Sequence, residues 1–201
     1  MVAADLQIEI RRSFNDAARD EEHFPSTIDP RIYHVTLLAD FLGELDSHRV
    51  LDAGCGKGRF ARILKERYPA VSICCMDIAE AMLHRTPEGL QRAAGSLIAL
   101  PFHDGAFDAA YAIESLEHAV DIETAVAELC RVVKPGGRVF VIDKNAEHWG
   151  RLETPPWEKW FHRRELEKLL RRHCRKVSSR FISYWEDVEP DGLFLAWLAV
   201  K

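Results

Sequence analysis

The stretch Val50-Leu51-Asp52-Ala53-Gly54-Cys55-Gly56-Lys57-Gly58 decides the fold of this chain: an apolar run ending in an acid, then a Gly-x-Gly-x-Gly loop, then the helical pattern Phe60 to Arg67. Strand, loop and helix in that order open a βαβ unit. Glycine at alternate positions permits a tight turn and brings bare backbone N–H groups against a ligand that side chains would exclude. A dinucleotide site wants a third glycine at position 59 for close helix–strand packing, and Arg59 stands there. A phosphate loop wants Gly-Lys-Ser/Thr, whereas Lys57 is followed by Gly58. Asp52 would repel a pyrophosphate and suits a ligand carrying an ammonium or sulfonium charge. On the loop alone, a shaped surface turn explains the glycines equally well. Asp77, closing the next apolar run, adds an acid placed to accept both ribose hydroxyls of an adenosine at the carboxyl edge of a sheet.

Outward from that loop, apolar runs and helical patterns alternate, which predicts a mostly parallel sheet. Strands are expected at Arg49 to Ala53, Val71 to Met76, Ala93 to Ile98, Phe107 to Ile113 and Gly137 to Asp143. Helices are expected at Phe60 to Arg67, Ile78 to Leu83 and Glu123 to Val133, the last with Asp121 as N-cap and Lys134-Pro135-Gly136-Gly137 as its stop. A connector rich in Trp and Pro follows, containing Trp149, Pro155, Pro156, Trp157, Trp160 and Phe161. An amphipathic helix from about His162 to His173 comes next, and two β-like runs, Lys176 to Trp185 and Leu193 to Val200, predict a closing antiparallel hairpin. The expected organisation is one domain: a helical lid over residues 1–45, a cofactor-binding core over 46–143, and an acceptor-side connector, helix and hairpin over 144–201.

The 201 residues are 47% hydrophobic and 29% charged, which excludes a disordered tail or a disulfide mini-scaffold. A net charge of −5 and a pI of about 6.0 give the chain as a whole no electrostatic case for a polyanion partner. The basic run Arg163, Arg164, Lys168, Arg171, Arg172, Arg175 and Lys176 reads as a solvated helix face, or as a recruiter of an anionic acceptor or carrier. Five cysteines without C-x-x-C spacing read as buried thiols in a reducing cytoplasm. No stretch approaches the roughly 18 apolar residues that span a bilayer, and Met1 to Arg12 resembles neither a signal peptide nor a lipidation motif. A soluble cytoplasmic protein without membrane insertion is expected, and its oligomeric state is not legible.

Four stretches in order, VLDAGCGKG (50–58), CMDIAEAML (75–83), GSLIALPFHDGAFDAAYAIESLEH (95–118) and ELCRVVKPGGRVFVID (128–143), resemble the class I S-adenosylmethionine-dependent methyltransferases. The similar enzymes are the small-molecule group that includes the ubiquinone/menaquinone-biosynthesis type. The resemblance implies an α/β, Rossmann-like, mostly parallel seven-stranded sheet with a C-terminal antiparallel hairpin and an N-terminal helical lid. It implies S-adenosyl-L-methionine as cofactor and S-adenosyl-L-homocysteine as product. Asp52, Gly54, Cys55 and Gly56 would then serve the methionyl end and Asp77 the ribose, with Ile78 and Met82 on adenine. Ser96 stands where relatives often carry an acid for the adenine amino group, Leu97 would offer its N–H, and Ile113 and Glu114 would line the methyl-donor side.

Relatives also carry Phe-x-x-x-Ala followed by Tyr-Asp on a closing segment. Phe14 and Ala18 fit, Glu21 and Glu22 replace the Tyr-Asp pair, and Tyr33 is a candidate substitute.

Methyl transfer is an in-line displacement that needs alignment and, for a poor nucleophile, removal of a proton. Candidates for the proton step are His118 and Glu114, with Asp143, Asn145 and His148 near the fifth strand. Loop orientation explains His118 as readily as catalysis does. Trp149 is the acceptor-pocket candidate of the connector, while core packing explains Trp160 and Phe161 equally well. Ala112-Ile113-Glu114-Ser115 replaces the Asn/Asp-Pro-Pro-Tyr/Phe pattern of DNA and amide methylation, so no nucleic-acid substrate is expected. No metal-ligand spacing is visible. The expected reaction is methyl transfer to an oxygen or nitrogen of a small-molecule acceptor. A catalytically silent cofactor-binding subunit and a nucleotide-dependent oxidoreductase stay open as alternatives.

Overall fold

The computed structural model describes residues 3–43 and 48–201; the expected boundary between residues 45 and 46 lies outside the described residues. Helices α1 (Ala3–Ala17) and α2 (Tyr33–Leu42) precede β1 (Arg49–Ala53), α3 (Arg59–Arg67), β2 (Ser72–Asp77), α4 (Glu80–Leu83) and β3 (Gln91–Ala94). Then come β4 (Phe107–Ile113), α5 (Ile122–Arg131), β5 (Val133–Lys144), α6 (Arg163–Arg171), β6 (Lys176–Ile182) and β7 (Phe194–Val200). The seven strands form one sheet in the order β3-β2-β1-β4-β5-β7-β6. Strands β1 to β5 are parallel, and β7 runs antiparallel to both β5 and β6. The chain builds outward from β1 to β3 and then returns to the other side of β1. The carboxyl ends of β1 and β4 therefore flank a topological switch point, where open α/β sheets bind ligands.

Central strands buried on both faces must be apolar throughout, and β4 and β7 are buried almost end to end. Alternate residues serve opposite faces. Ala109, Tyr111 and Ile113 of β4 join a core with Val35, Leu38 and Leu42 of α2 and Phe60 and Leu64 of α3. Ala110 and Ala112 join the opposite core with Val126 and Leu129 of α5 and Leu166 and Leu170 of α6. The Asp121 carboxylate caps α5 as expected, accepting from Thr124 N at 3.0 Å.

The fold departs from the sequence expectations at three places. Strand β3 lies earlier than expected, because Gly95 turns the chain: a Cβ there would sit 2.8 Å from the Pro101 ring. The apolar Leu97 and Ile98 that suggested a strand pack beyond that turn on the α5–α6 side core. Lys134-Pro135-Gly136-Gly137 does not precede β5 but forms a bulge inside it: Phe107 pairs with Val133 and Ala109 with Arg138. A Cβ on Gly137 would lie 2.5 Å from Asp108 O, so only glycine brings the bulge that close to β4. Helix α2 belongs to the core rather than to a lid, with His34, Val35, Leu37, Leu38, Ala39 and Leu42 buried.

Leu38→Ala is accordingly expected to cost about 2–5 kcal/mol of unfolding free energy, read by urea denaturation. A loss below about 1 kcal/mol would mean that α2 is not a core element.

Candidate active site

Beyond Ala53 the chain must leave the sheet, and three residues in left-handed geometry make the turn: Gly54, Gly56 and Gly58 have φ of +74°, +53° and +73°. Gly54 N and Cys55 N both donate to Met76 O, at 2.8 and 3.0 Å, which pins the loop to the end of β2. A Cβ on Gly54 would stand 2.5 Å from Ser115 Cβ, and the Ser115 hydroxyl donates to Ala53 O at 2.8 Å. A Cβ on Gly56 would meet nothing within 4 Å. The Asp77 carboxylate takes Gly56 N on Oδ2 and Ala79 N on Oδ1, each at 2.8 Å. Burial pushes the Asp77 carboxyl above the ordinary range, opposed by its backbone donors.

The loop opens into a cavity of about 740 Å³. Asp52, Gly54, Cys55, Gly56, Asp77 and Ile78 line it, as do Met82, Ser96, Leu97, Ile113, Glu114 and His118. Its cover is the N-terminal segment, through Ile10, Phe14 and residues 22–25. Two contacts hold that cover down: Asn15 Oδ1 accepts from Ala81 N at 2.9 Å, and the buried Lys57 ammonium donates to Asp20 O and Glu21 Oε1, each at 2.7 Å. Glu21, at the position where relatives have Tyr, thus clamps the cover to the glycine loop; the Lys57 hydrogen bond holds its carboxyl down at about 2.

Two expected acceptor residues lie elsewhere. Tyr33 is not in the cavity wall, its hydroxyl accepting from Arg180 at 3.3 Å; the tyrosine in the wall is Tyr184, stacked on His34 at 4.8 Å. Trp149 is 57% exposed and packs edge-on against Trp160 at 5.3 Å, outside the wall. Residues 152–155 and Glu158 of the same connector line the cavity instead, because the chain folds back there to dock Trp160 and Phe161 in the core. Glu114 is the one non-glycine residue with positive φ, +50°, among those described. Its carboxylate accepts from Arg59 at 3.1 Å, and this ion pair is part of the wall rather than a free base.

Asp52 is buried with Oδ2 unpartnered, and burial pushes its carboxyl up to about 7, with the Tyr111 hydroxyl pulling the other way. Asp52 lies in the cavity wall, where a cationic ligand would favour the charged form of its carboxyl. Another cluster surrounds Lys144 at the end of β5. Its ammonium donates to Glu117 Oε1 at 2.5 Å and Glu158 Oε1 at 3.1 Å, while Asp143 Oδ2 accepts from Glu117 N at 3.2 Å. Burial pushes the Glu117 carboxyl up to about 7, against the pull of Asp143 and Lys144. His118 lies in the same cluster, its Nδ1 4.0 Å from Glu158 Oε2. Burial and Lys144 depress His118 to about 3, which favours the neutral imidazole. Glu117, Lys144 and Glu158 carried no local signal, since Glu158 joins the other two only through the fold.

Residues 51–141 match the family described as a methyltransferase domain. The chain is 34% identical over 149 residues to a 2-methyl-6-phytyl-1,4-hydroquinone methyltransferase of Synechocystis sp., a match covering 72% of this chain and 46% of that protein. It is 34% identical over 115 residues to an O-methyltransferase of Penicillium expansum, covering 53% of this chain and 42% of that protein. The chain spans about half the length of the curated relatives it matches. A geranyl diphosphate methyltransferase solved with GPP and sinefungin superposes with a TM-score of 0.72 at 16% identity, covering 97% of this chain and 98% of that one. The strand order, the pinned glycine loop and these similarities identify residues 51–141 as a class I S-adenosylmethionine-dependent methyltransferase domain.

Proposed function

We propose that the protein transfers a methyl group from S-adenosyl-L-methionine to an oxygen or nitrogen atom of a small-molecule acceptor. The observation that carries this reading is one covered cavity that holds both the orphaned Asp52 carboxyl beside the glycine loop and the ionisable cluster around Lys144. A cofactor-binding subunit without turnover has no need of the second half. When bound, S-adenosylmethionine supplies an electrophilic methyl on a sulfonium. Asp52 faces the ammonium of the methionyl end, and Gly56 leaves the room its backbone approach requires. Asp77 keeps free lone pairs for the ribose hydroxyls while fixing the loop. Ile78 and Met82 pack on adenine. Ile10, Phe14 and Phe24 keep water from the reacting atoms, so catalysis rests mainly on alignment. No nucleic-acid acceptor is proposed, and none of the described helices is long and apolar enough to cross a membrane. All five cysteines are buried free thiols, which supports a reducing, cytoplasmic setting.

Incubation with radiolabelled S-adenosylmethionine and a metabolite extract should label a small molecule; label confined to tRNA or protein would overturn the reading. Calorimetry should detect S-adenosylmethionine binding and no binding of NAD(H) or NADP(H). Affinity for S-adenosylmethionine should rise as pH rises from about 6 toward 7.5, because a cation favours the ionised Asp52, whose proton leaves near 7. Asp52→Asn should bind more weakly and flatten that slope. Asp77→Ala should weaken binding by about 1.5–3 kcal/mol and also lower thermal stability, since Gly56 N and Ala79 N lose their acceptor. Gly56→Val should abolish binding with the sheet intact, because its side chain enters open cavity.

A further inference from the structure

Two of the five free thiols meet outside the cavity. Cys130 Sγ, in the last turn of α5, lies 3.7 Å from Cys174 Sγ, in the turn between α6 and β6. The fold makes this contact, since the residues are 44 apart along the chain. Both belong to the apolar core that docks the two helices, with Val126 and Leu129 of α5 and Leu166 and Leu170 of α6. An open recess of about 350 Å³ borders Cys130, with Glu128, Arg131, His173 and Lys201 in its wall; none of these residues lines the cavity of the candidate active site. Cys174 keeps 6% of its surface exposed and Cys130 1%, so an oxidant meets Cys174 more readily.

A thiol reacts as its thiolate, and the surroundings of the two sulfurs differ in how far they favour that form. The Lys201 ammonium donates to Val133 O at 2.8 Å and Arg131 O at 3.3 Å, which fixes a positive charge at the end of α5. The Cys130 S–H and then the Lys201 charge hold the Cys174 thiol below its ordinary value, against burial. Cys174 and burial push Cys130 up, and burial is the main influence that pushes up Cys55 and Cys74. A disulfide needs its sulfurs about 2.0 Å apart, so the observed 3.7 Å must close by about 1.7 Å. Cys174 stands in a turn, beyond the last residue of α6, and the turn can take that movement.

We propose that Cys130 and Cys174 are an oxidation site, joining in a reversible disulfide when the protein meets a hydroperoxide. The Cys174 thiolate attacks one peroxide oxygen: an S–O bond forms, the O–O bond breaks, and the departing oxygen takes a proton. Cys174 is then a sulfenic acid. The Cys130 thiol gives up its proton and attacks that sulfur; the S–S bond forms, the S–O bond breaks, and the oxygen leaves as water. The two sulfurs together lose two electrons and the peroxide gains them. With hydrogen peroxide, two thiols and one H₂O₂ become one disulfide and two waters. A dithiol reverses the link by exchange, as a reducing compartment requires. The linked segment carries β5, Lys144 and residues 152–155 of the cavity wall.

The test is peptide mapping by mass spectrometry on the folded wild-type chain, treated with hydrogen peroxide and then alkylated. Cys130 and Cys174 should be found joined, at a rate tenfold or more above oxidation of Cys55, Cys74 and Cys75, and dithiothreitol should restore all five thiols. The oxidised chain should melt no lower than the reduced one, because the link constrains the unfolded chain. In Cys130→Ser no link should form, and dimedone should label Cys174 as the trapped sulfenic acid. A link between other cysteines, or a Cys130 and Cys174 alkylated as readily after peroxide as before it, would overturn the proposal. So would an oxidised chain that melts lower, or a folded Cys130→Ser chain without label on Cys174. The wild-type map decides even if the variant fails to fold.

Discussion

The Asp77 carboxylate, ending β2 and gripping Gly56 N on one side and Ala79 N on the other, is the contact on which the ligand half of this molecule depends. It joins the glycine loop after β1 to the turn after β2, so two segments 21 residues apart become one surface. A buried carboxylate is costly alone, and its charge-assisted bonds to backbone donors offset much of that cost. Each carboxylate oxygen accepts more than one hydrogen bond. The same group therefore builds the floor of the cavity and still faces a ligand.

The cover depends on a comparable economy. Among the described residues, Lys57, buried in the glycine loop, donates to the backbone of Asp20 and the carboxylate of Glu21. The N-terminal segment over the cavity therefore supplies the partners of a buried ammonium. Phe14 then lies against His118, which connects the cover to the Lys144 cluster as well as to the loop. Cover, glycine loop and Lys144 cluster are thus joined by adjoining contacts.

Some of the buried polar atoms without a partner belong to residues of the cavity wall, others to residues outside it, such as His34 and Tyr111. Asp52 Oδ2, Glu117 Oε2 and His118 Nδ1 are buried without partners around one space. Native interiors leave few such atoms unsatisfied. Burial raises the Asp52 and Glu117 carboxyls and, with Lys144, lowers His118, so the environment favours the uncharged form of all three.

The parallel core, the position of the glycine loop, Asp77 at the second strand end, the Asp121 cap and the terminal hairpin were legible because each is local: apolar periodicity, turn chemistry and capping act over a few residues. Strand β3 was displaced in the reading because its residues are mostly exposed at a sheet edge while the apolar Leu97 and Ile98 lie past a turn. By itself the sequence determined the α/β class and the place of the glycine loop at the end of β1. Only tertiary structure decided that α2 is core, that Tyr184 rather than Tyr33 and residues 152–155 rather than Trp149 form the wall, and that Glu117 meets Lys144 and Glu158. Those choices follow from long-range packing and from desolvation, and neither is encoded in the spacing of residues along the chain.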